Sequence, residues 1–343
     1  MLHSRDMANS RPSVLVTEAE YRKAEACFSS AAGLACLRAP DAEDDLAAAI
    51  REMRASYVVV GPGTYSGPLY DALQTGGVIA RFGVGHDGID KVKATAAGLL
   101  CTNTPAVLNQ SVAEHTMLLV AAAARRLIAM ATSMVQRVWD PVTGEELQGK
   151  TLAIVGCGGI GQSVARIASL GYGMQVVGCS RPDVPPPAGL QHFRVVTNDF
   201  ALAVRHADFV SLHLLASREN VHFIDRDRLA CLGRRTWLIN TARGSVVDED
   251  ALFAALAAGR LAGAALDVFA REPYAPMNGS GDLRSLANVI LTPHVGSNTM
   301  DANGRMAERA IQNIVLAEAG AFARMDLVNP EVLQRPPYFR ANR

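Results

Sequence analysis

Three side chains in the C-terminal half stand where chemistry could be done. LTPHVGSN puts His294 directly behind a proline at the end of the apolar run NVILTPH, LINTARGSVV puts Arg243 just past a second such run, and GAALDVFAREP puts Glu272 after a third. Proline ends a strand, because its ring fixes φ and removes the N–H of the ladder, so His294 is aimed by stiff backbone. A histidine taken alone is usually a surface or packing residue, and its switchable charge is only a starting point. The company it keeps changes that reading. An imidazole can move protons, a guanidinium can hold a carboxylate or phosphate through paired hydrogen bonds, and all three residues follow the C-terminal ends of strand-like runs, where open parallel sheets bind ligands.

A second constellation lies upstream. TLAIVGCGGIGQSVARIASLG sets Gly156, Gly158 and Gly161 as G-x-G-x-x-G after an apolar strand and at the head of a helix. The pattern is weak by itself, but in this setting each glycine has a job: a tight turn, close approach of backbone to a pyrophosphate, and helix–strand packing, with the helix N-terminus facing the phosphates. At the end of the next strand an acidic residue would grip the ribose 2′-hydroxyl of NAD. The chain has Ser180 and Arg181 there, a hydroxyl and a guanidinium suited to a 2′-phosphate. NADP(H) is therefore favoured, with NAD(H) the alternative if Arg181 merely stacks on adenine or faces solvent.

The elements that must position these groups are β-branched runs alternating with helical stretches: SVLVT, YVVVG, VIARFG and LLCTN, then TLAIVG, MQVVGCS, DFVSLHL, TWLINTA, GAALDVF and NVILTPH. That alternation predicts parallel βαβ units and two doubly wound domains. Pro105 to Gln136 runs without an internal breaker and reads as one long helix leading from the first unit into the second. A further helix, MDANGRMAERAIQNIVLAEAG, and its continuation DLVNPEVL should return to the first domain. The expected organisation is a discontinuous substrate domain, 13–106 with 299–335, around a dinucleotide-binding domain at 107–298. Residues 1–12 read as a disordered leader, without an apolar core of signal-peptide length, and RPDVPPPAG reads as a stiff loop.

Composition narrows the function classes. The 343 residues carry 33 basic and 33 acidic side chains, and with no basic run the chain does not look like a nucleic-acid binder. TMLLVAAAA, flanked by His115 and Arg125–Arg126, is far short of the ~20 residues a bilayer needs. Six cysteines without CxxC pairing or metal-ligand rhythm read as reduced thiols of a cytoplasmic protein with no metal site.

RFGVGHDGID, SVAEHT, GCGGIG, NTARGSVVDEDAL, ALDVFAREP and LTPHVGSNT occur in order, and with them the chain resembles the D-isomer-specific 2-hydroxyacid dehydrogenases from about Ser13 to Leu333. The nearest subgroup looks like the NADP(H)-dependent glyoxylate/hydroxypyruvate reductases. The resemblance implies a Rossmann nucleotide domain inserted into a flavodoxin-like substrate domain. It also implies reduction of a small 2-keto acid by hydride from the nicotinamide. Arg243 would hold the substrate carboxylate with the backbone at Val84 and Gly85, His294 would pass the proton to or from the C2 oxygen, and Glu272 would hold the other ring nitrogen and favour imidazolium. Asp267 would orient the nicotinamide carboxamide. The cofactor site would take in Gly159, Ile160, His213, Thr241, Ala242 and Gly296 beside the three glycines, Ser180 and Arg181, with His213 contributing shape rather than catalysis. His115 reads as helix packing, and Asp248, Glu249 and Asp250 read as an acidic first turn suited to the helix dipole.

Members of this family are usually homodimers, and Trp139, a large aromatic in a polar segment, is expected at the partner's pocket. GPGTYSG (61–67) is expected to wall the substrate pocket, with Tyr65 or Thr64 approaching the substrate. Gly88 stands where many relatives have Asn, and LHLLASREN lacks a usual proline. Glu272 argues against a formate dehydrogenase, which has Gln there, and Val84 against a phosphite dehydrogenase, which has lysine. The competing reading is a dinucleotide-sensing scaffold resembling the C-terminal binding corepressors, which turnover of a 2-keto acid would exclude.

Overall fold

The computed structural model describes residues 11–181, 189–276 and 281–335. Its contacts divide the chain into two compact units, Met1–Leu108 with Asn298–Arg343, and Asn109–Ser297. The leader up to Ser10 and Pro182–Ala188 of the proline-rich loop lie outside the described residues.

In the first unit, β1 (Ser13–Thr17), β2 (Ala35–Ala39), β3 (Tyr57–Val60), β4 (Val78–Arg81) and β5 (Leu100–Thr102) form one sheet in the order β2-β1-β3-β4-β5. Every pairing is parallel, and the order is flavodoxin-like. The strands β3 and β4 are buried along their whole length. Apart from Arg81 at the end of β4, their side chains are apolar on both faces because helices cover both. Loops at the C-terminal ends of these strands are clamped together: Tyr65 N–H donates to Gly88 O at 2.8 Å, and the Tyr70 hydroxyl donates to Tyr65 O and accepts from Asp90 N–H, both at 2.7 Å. A side chain at position 88 would drive into the Gly63 carbonyl, which accounts for glycine there. The clamp also corrects an expectation. Tyr65 is 4% exposed and packs in the core with Leu69 and Ile89, so of the two candidates only Thr64 is exposed.

In the second unit, β6 (Thr151–Val155), β7 (Gln175–Cys179), β8 (Val195–Thr197), β9 (Phe209–Leu212), β10 (Trp237–Asn240), β11 (Gly263–Leu266) and β12 (Val289–Leu291) pair in the order β12-β11-β10-β9-β6-β7-β8, again all parallel. This is the Rossmann order with one added strand, and it reverses between β6 and β9. Alternate residues serve two cores: Ala153, Val155 and Leu238 in one, Leu152, Ile154, Trp237 and Ile239 in the other. Period-two alternation puts these cores on opposite faces of the sheet.

Two sequence expectations need correction. The stretch Pro105 to Gln136 is not one helix but two, Asn109–Ala124 and Leu127–Val135, bent by 68°. Arg126 takes a left-handed φ of 53° at the break, and its guanidinium lies 5.3 Å from the centre of the Trp237 ring. Neither glycine nor proline marks this break; a tertiary cation–π contact accompanies it. The strands β2 and β8 were also not read from sequence. Both are sheet edges and partly exposed, so ACLRA and VVT lack the sustained apolar run of a buried strand. Among the described residues no single helix is long and apolar enough to cross a membrane.

The C-terminal segment is tied into the first unit by one fully buried side chain. Asn329 accepts from Cys101 N–H and donates to Thr95 Oγ1 and Leu99 O, all at 2.9 Å. Each buried polar group left without a partner costs about 1–3 kcal/mol. Asn329→Ala should therefore lower unfolding free energy by about 2–4 kcal/mol in denaturant titration, and an unchanged midpoint would refute the anchoring role.

Candidate active site

The loops after β10, β11 and β12 carry Arg243, Glu272 and His294. His294 Nδ1 and Glu272 Oε2 are 2.7 Å apart, each side chain about one-third exposed at 33% and 35%. The other Glu272 oxygen accepts from Phe269 N–H at 3.0 Å, so both carboxylate oxygens are committed and the imidazole is held by one nitrogen, which leaves Nε2 as its working atom. Burial pushes the Glu272 carboxyl up. The hydrogen bonds from His294 and Phe269 N–H, with the charges of His294 and Arg243, outweigh it and hold the group below the usual value. Arg243 is half-buried. Its Nη1 donates to Ala242 O at 2.6 Å, and Asn240 braces the turn, donating to Arg243 O at 2.9 Å and accepting from Ala242 N–H at 3.0 Å.

His294 itself has a φ of 52°, a left-handed conformation that costs a non-glycine residue about 1–2 kcal/mol and persists only where the surroundings over-determine it. Asp267 provides that determination. Its carbonyl accepts from His294 N–H at 2.8 Å, Oδ1 accepts from Thr292 Oγ1 at 2.6 Å and Val295 N–H at 2.9 Å, and Oδ2 accepts from Gly296 N–H at 2.8 Å. The carboxylate is 1% exposed. Burial pushes its carboxyl up, but hydrogen bonds from His115, Thr292, Val295 and Gly296 outweigh this and leave it below its ordinary value, as expected of a carboxylate rich in donors.

Several of these partners were not read from sequence. His115, on the helix Asn109–Ala124, is more than a packing residue, with Nε2 3.2 Å from Thr292 Oγ1 and 3.3 Å from Asp267 Oδ1. Glu249 does more than face a helix dipole. It is buried, its carboxyl is raised by that burial, and it accepts from Ala270 N–H at 2.6 Å, in the loop that carries Glu272. The helix cap falls to Asp248, which accepts from Ala251 N–H at 3.0 Å. An acidic run after a strand signals a helix start, but nothing in it shows which member turns inward.

The glycine-rich loop opens the helix Gly159–Tyr172, with Gly156 at a φ of 100° and Gly158 at the N-cap. A side chain at Gly161 would drive into the Gly156 carbonyl, so the helix can approach the strand only without one. No side chain caps the terminus, and space beside Gly158 is open; the first-turn N–H groups at Gly159, Ile160 and Gly161 thus form a cradle fit for a pyrophosphate. His213 follows β9 at the topological switch, with its carbonyl close to Gly156 and its Nε2 2.9 Å from Ser211 Oγ. Burial lowers its pKa to about 4, so it is neutral at physiological pH. Thr241 is buried, with Oγ1 2.8 Å from Thr116 Oγ1, and the N–H groups of Ala242 and Gly296 are spent on Asn240 and Asp267. Ser180 is half-buried and Arg181 exposed, with Nη1 3.9 Å from Glu219 Oε2. That carboxylate was not anticipated.

In the first unit, Asn103 Nδ2 donates to Val84 O at 2.7 Å and Thr104 N–H donates to Gly83 O at 3.0 Å. The carbonyls of the Val84–Gly85 loop are thereby fixed toward β5. Among the described residues no group of three or more His, Cys, Asp or Glu is arranged to hold a metal ion.

A Rossmann-ordered sheet with a phosphate cradle at its switch point, and a histidine–carboxylate pair beside an arginine at the ends of three of its strands, defines a nicotinamide dinucleotide-dependent dehydrogenase. Residues 117–296 match the NAD binding domain of the D-isomer specific 2-hydroxyacid dehydrogenases. The chain is 38% identical over 273 residues to a glyoxylate reductase of Thermococcus litoralis, covering 76% of this chain and 79% of that protein. Among solved structures it is similar to the NADPH-dependent glyoxylate/hydroxypyruvate reductase of Sinorhizobium meliloti in complex with NADP and malonate. That match has a TM-score of 0.78 and 29% identity, and it covers 94% of this chain and 98% of the other. A D-lactate dehydrogenase of Aquifex aeolicus, complexed with NAD and lactic acid, matches with a TM-score of 0.76 and 25% identity over 92% of this chain and 99% of its own. The chain belongs to the D-isomer specific 2-hydroxyacid dehydrogenase family, NAD(P)-dependent enzymes that interconvert a keto acid and a hydroxy acid.

The Glu272–His294 contact carries a directional prediction. Glu272 is held below the usual carboxylate value and so offers His294 Nδ1 a charged acceptor; Glu272→Gln removes that charge and should lower kcat for keto-acid reduction about tenfold or more, the low end of what a charge-assisted hydrogen bond contributes. An unchanged kcat in steady-state assay would show that the pairing does not serve the chemistry.

Proposed function

We propose that the enzyme reduces a small 2-keto acid of the glyoxylate or hydroxypyruvate kind to the D-2-hydroxy acid, with NADP(H) favoured over NAD(H). The observation that carries this reading is the 2.7 Å contact between His294 Nδ1 and Glu272 Oε2, which leaves Nε2 to face a reacting oxygen. Bound in the glycine cradle, the dinucleotide would supply the hydride to C2. Arg243 binds the substrate carboxylate through its guanidinium and so orients the carbonyl. His294 as imidazolium donates its Nε2 proton to the carbonyl oxygen as negative charge develops there; as neutral imidazole it takes the hydroxyl proton in the reverse direction. Glu272 keeps the ring in orientation and compensates the imidazolium charge. The remaining lone pair of Asp267 Oδ2 would accept from the nicotinamide carboxamide. Thr241, Ala242, His213 and Gly296 shape the cofactor's surroundings, and the resemblance gives Val84 and Gly85 a share of the substrate carboxylate.

The reading draws further support from the names of the relatives, several of which are glyoxylate reductases. A steady-state screen of glyoxylate, hydroxypyruvate, pyruvate and phenylpyruvate with both cofactors should give the highest kcat/KM with glyoxylate or hydroxypyruvate. Preference for phenylpyruvate would overturn the proposed substrate class.

Arg181 and Ser180 support the preference for NADP(H). Hydrogen bonds to charged groups contribute about 1.5–3 kcal/mol, and about 1.4 kcal/mol is tenfold in affinity. Arg181→Ala should therefore weaken NADPH roughly ten- to a hundredfold and leave NADH nearly unchanged, as read by fluorescence titration. Ser180→Asp should weaken NADPH further, since a carboxylate repels the phosphate. Parent protein that prefers NADH, or equal loss of both cofactors in the Arg181 variant, would remove the phosphate grip from the account.

The six cysteines are unpaired, which supports a cytoplasmic setting. A homodimer is supported by the second half of the broken helix. In Leu127–Val135 no residue is buried, and Leu127, Ile128, Met134, Val135, Val138 and Trp139 are all exposed, the last at 83%. A contiguous apolar surface of this kind marks a protein interface. Light scattering should return the mass of two chains at micromolar concentration, and a one-chain mass would contradict the assignment.

A further inference from the structure

We propose that His115 is a positioning residue for His294, acting through the Asp267 carboxylate; the proposal rests on the acid–base role given to His294 above. Thr292 Oγ1 lies 2.6 Å from Asp267 Oδ1 and commits its single proton there, because an ionised carboxylate only accepts. His115 Nε2 lies 3.2 Å from that same hydroxyl oxygen and 3.3 Å from Asp267 Oδ1. Both neighbours are acceptors toward it. The nitrogen therefore carries a proton and donates, shared between the two, and His115 closes a triangle with the side chains of Thr292 and Asp267.

The consequence falls on the turn that carries His294. Asp267 Oδ1 also accepts from Val295 N–H and Oδ2 from Gly296 N–H, the two residues after His294. Those two donors belong to the turn itself. Thr292, whose N–H is bonded to Leu266 O at 3.0 Å, holds Oδ1 from the strand side, and a donor from a separate element opposes rotation about χ2 from another direction. His115 comes from the helix Asn109–Ala124, which packs on β10 and β11, so it ties the carboxylate to the body of the unit. Space at the turn is tight: a side chain at Gly296 would sit 3.0 Å from Asp267 Oδ2 and 3.6 Å from His115 Cδ2. The polar contacts of His115 described above run to Thr292 and Asp267. Its effect on His294 would run through the Asp267 carboxylate and the left-handed turn, and a misplacement of about an ångström can cost on the order of a hundredfold in rate.

The experiment compares His115→Phe, which removes the donor, with His115→Gln, whose terminal amide nitrogen restores one. The readouts are the His294 Cε1–H NMR signal, identified by its loss in His294→Ala, and kcat and KM for glyoxylate at saturating NADPH. The His294 signal should move in the Phe variant and return toward the parent position in the Gln variant. In parallel, kcat should fall about tenfold to a hundredfold and recover with Gln, with KM for the keto acid little changed because Arg243 is untouched. An unmoved His294 signal in His115→Phe, or an equal displacement in His115→Gln, overturns the positioning role. A moved signal with unchanged kcat upholds the positioning and overturns instead the acid–base role of His294. Should the Phe variant fail to fold, His115→Asn, whose amide donor is one methylene too short to reach the Nε2 position, carries the same test.

Discussion

The buried carboxylate of Asp267 is the constraint on which the site depends. It is 1% exposed, and burying a charge is tolerated only where hydrogen bonds replace the water it has lost. Three of the replacements come from one tight turn, the Thr292 hydroxyl and the backbone N–H groups of Val295 and Gly296, and His115 adds a donor from the helix Asn109–Ala124. Satisfying Asp267 therefore dictates the path of residues 292–296, and His294 in the middle is forced into a left-handed conformation that its side chain would not choose. The strain is local and modest. What it provides is an imidazole whose direction is set by backbone rather than by rotamer preference.

With the backbone fixed, one contact remains to define the ring, and Glu272 makes it. Its two oxygens divide the work: Oε1 is held by Phe269 N–H and Oε2 faces His294 Nδ1. Glu249 steadies the same loop from beneath by accepting from Ala270 N–H. Two carboxylates thus serve one histidine from different sides, Asp267 through the main chain and Glu272 through the ring. The parallel sheet makes this economical, since β10, β11 and β12 are adjacent and end on the same edge, so residues far apart in sequence meet through the loops that follow them.

Much of this was legible beforehand because the signals are local. Short β-branched runs alternating with helical stretches marked ten of the twelve strands among the described residues, and the glycine loop announced its own turn, cradle and helix. The residues that escaped notice did so for physical reasons. The strands β2 and β8 are edges, where exposure dilutes the apolar pattern. The break at Arg126 is accompanied by a contact with Trp237, more than a hundred residues away. Tyr65 looked like a pocket residue because tyrosine in a glycine-rich loop is ambiguous until burial is known. His115 and Glu249 sit in segments whose helical character was clear, yet their partners are long-range, and no spacing rule reveals them. The sequence pattern also gave no sign of Glu219 beside Arg181, a pairing that only folding brings about.

The central claim is that a histidine fixed by Asp267 and paired with Glu272 performs the proton transfer. The most direct measurement is single-turnover and steady-state reduction of glyoxylate by His294→Ala, with the Kd for NADPH determined on the same protein. The account predicts a kcat lower by about 10²–10⁴-fold, the range for loss of a general acid, with cofactor affinity retained. Turnover close to that of the parent would contradict it.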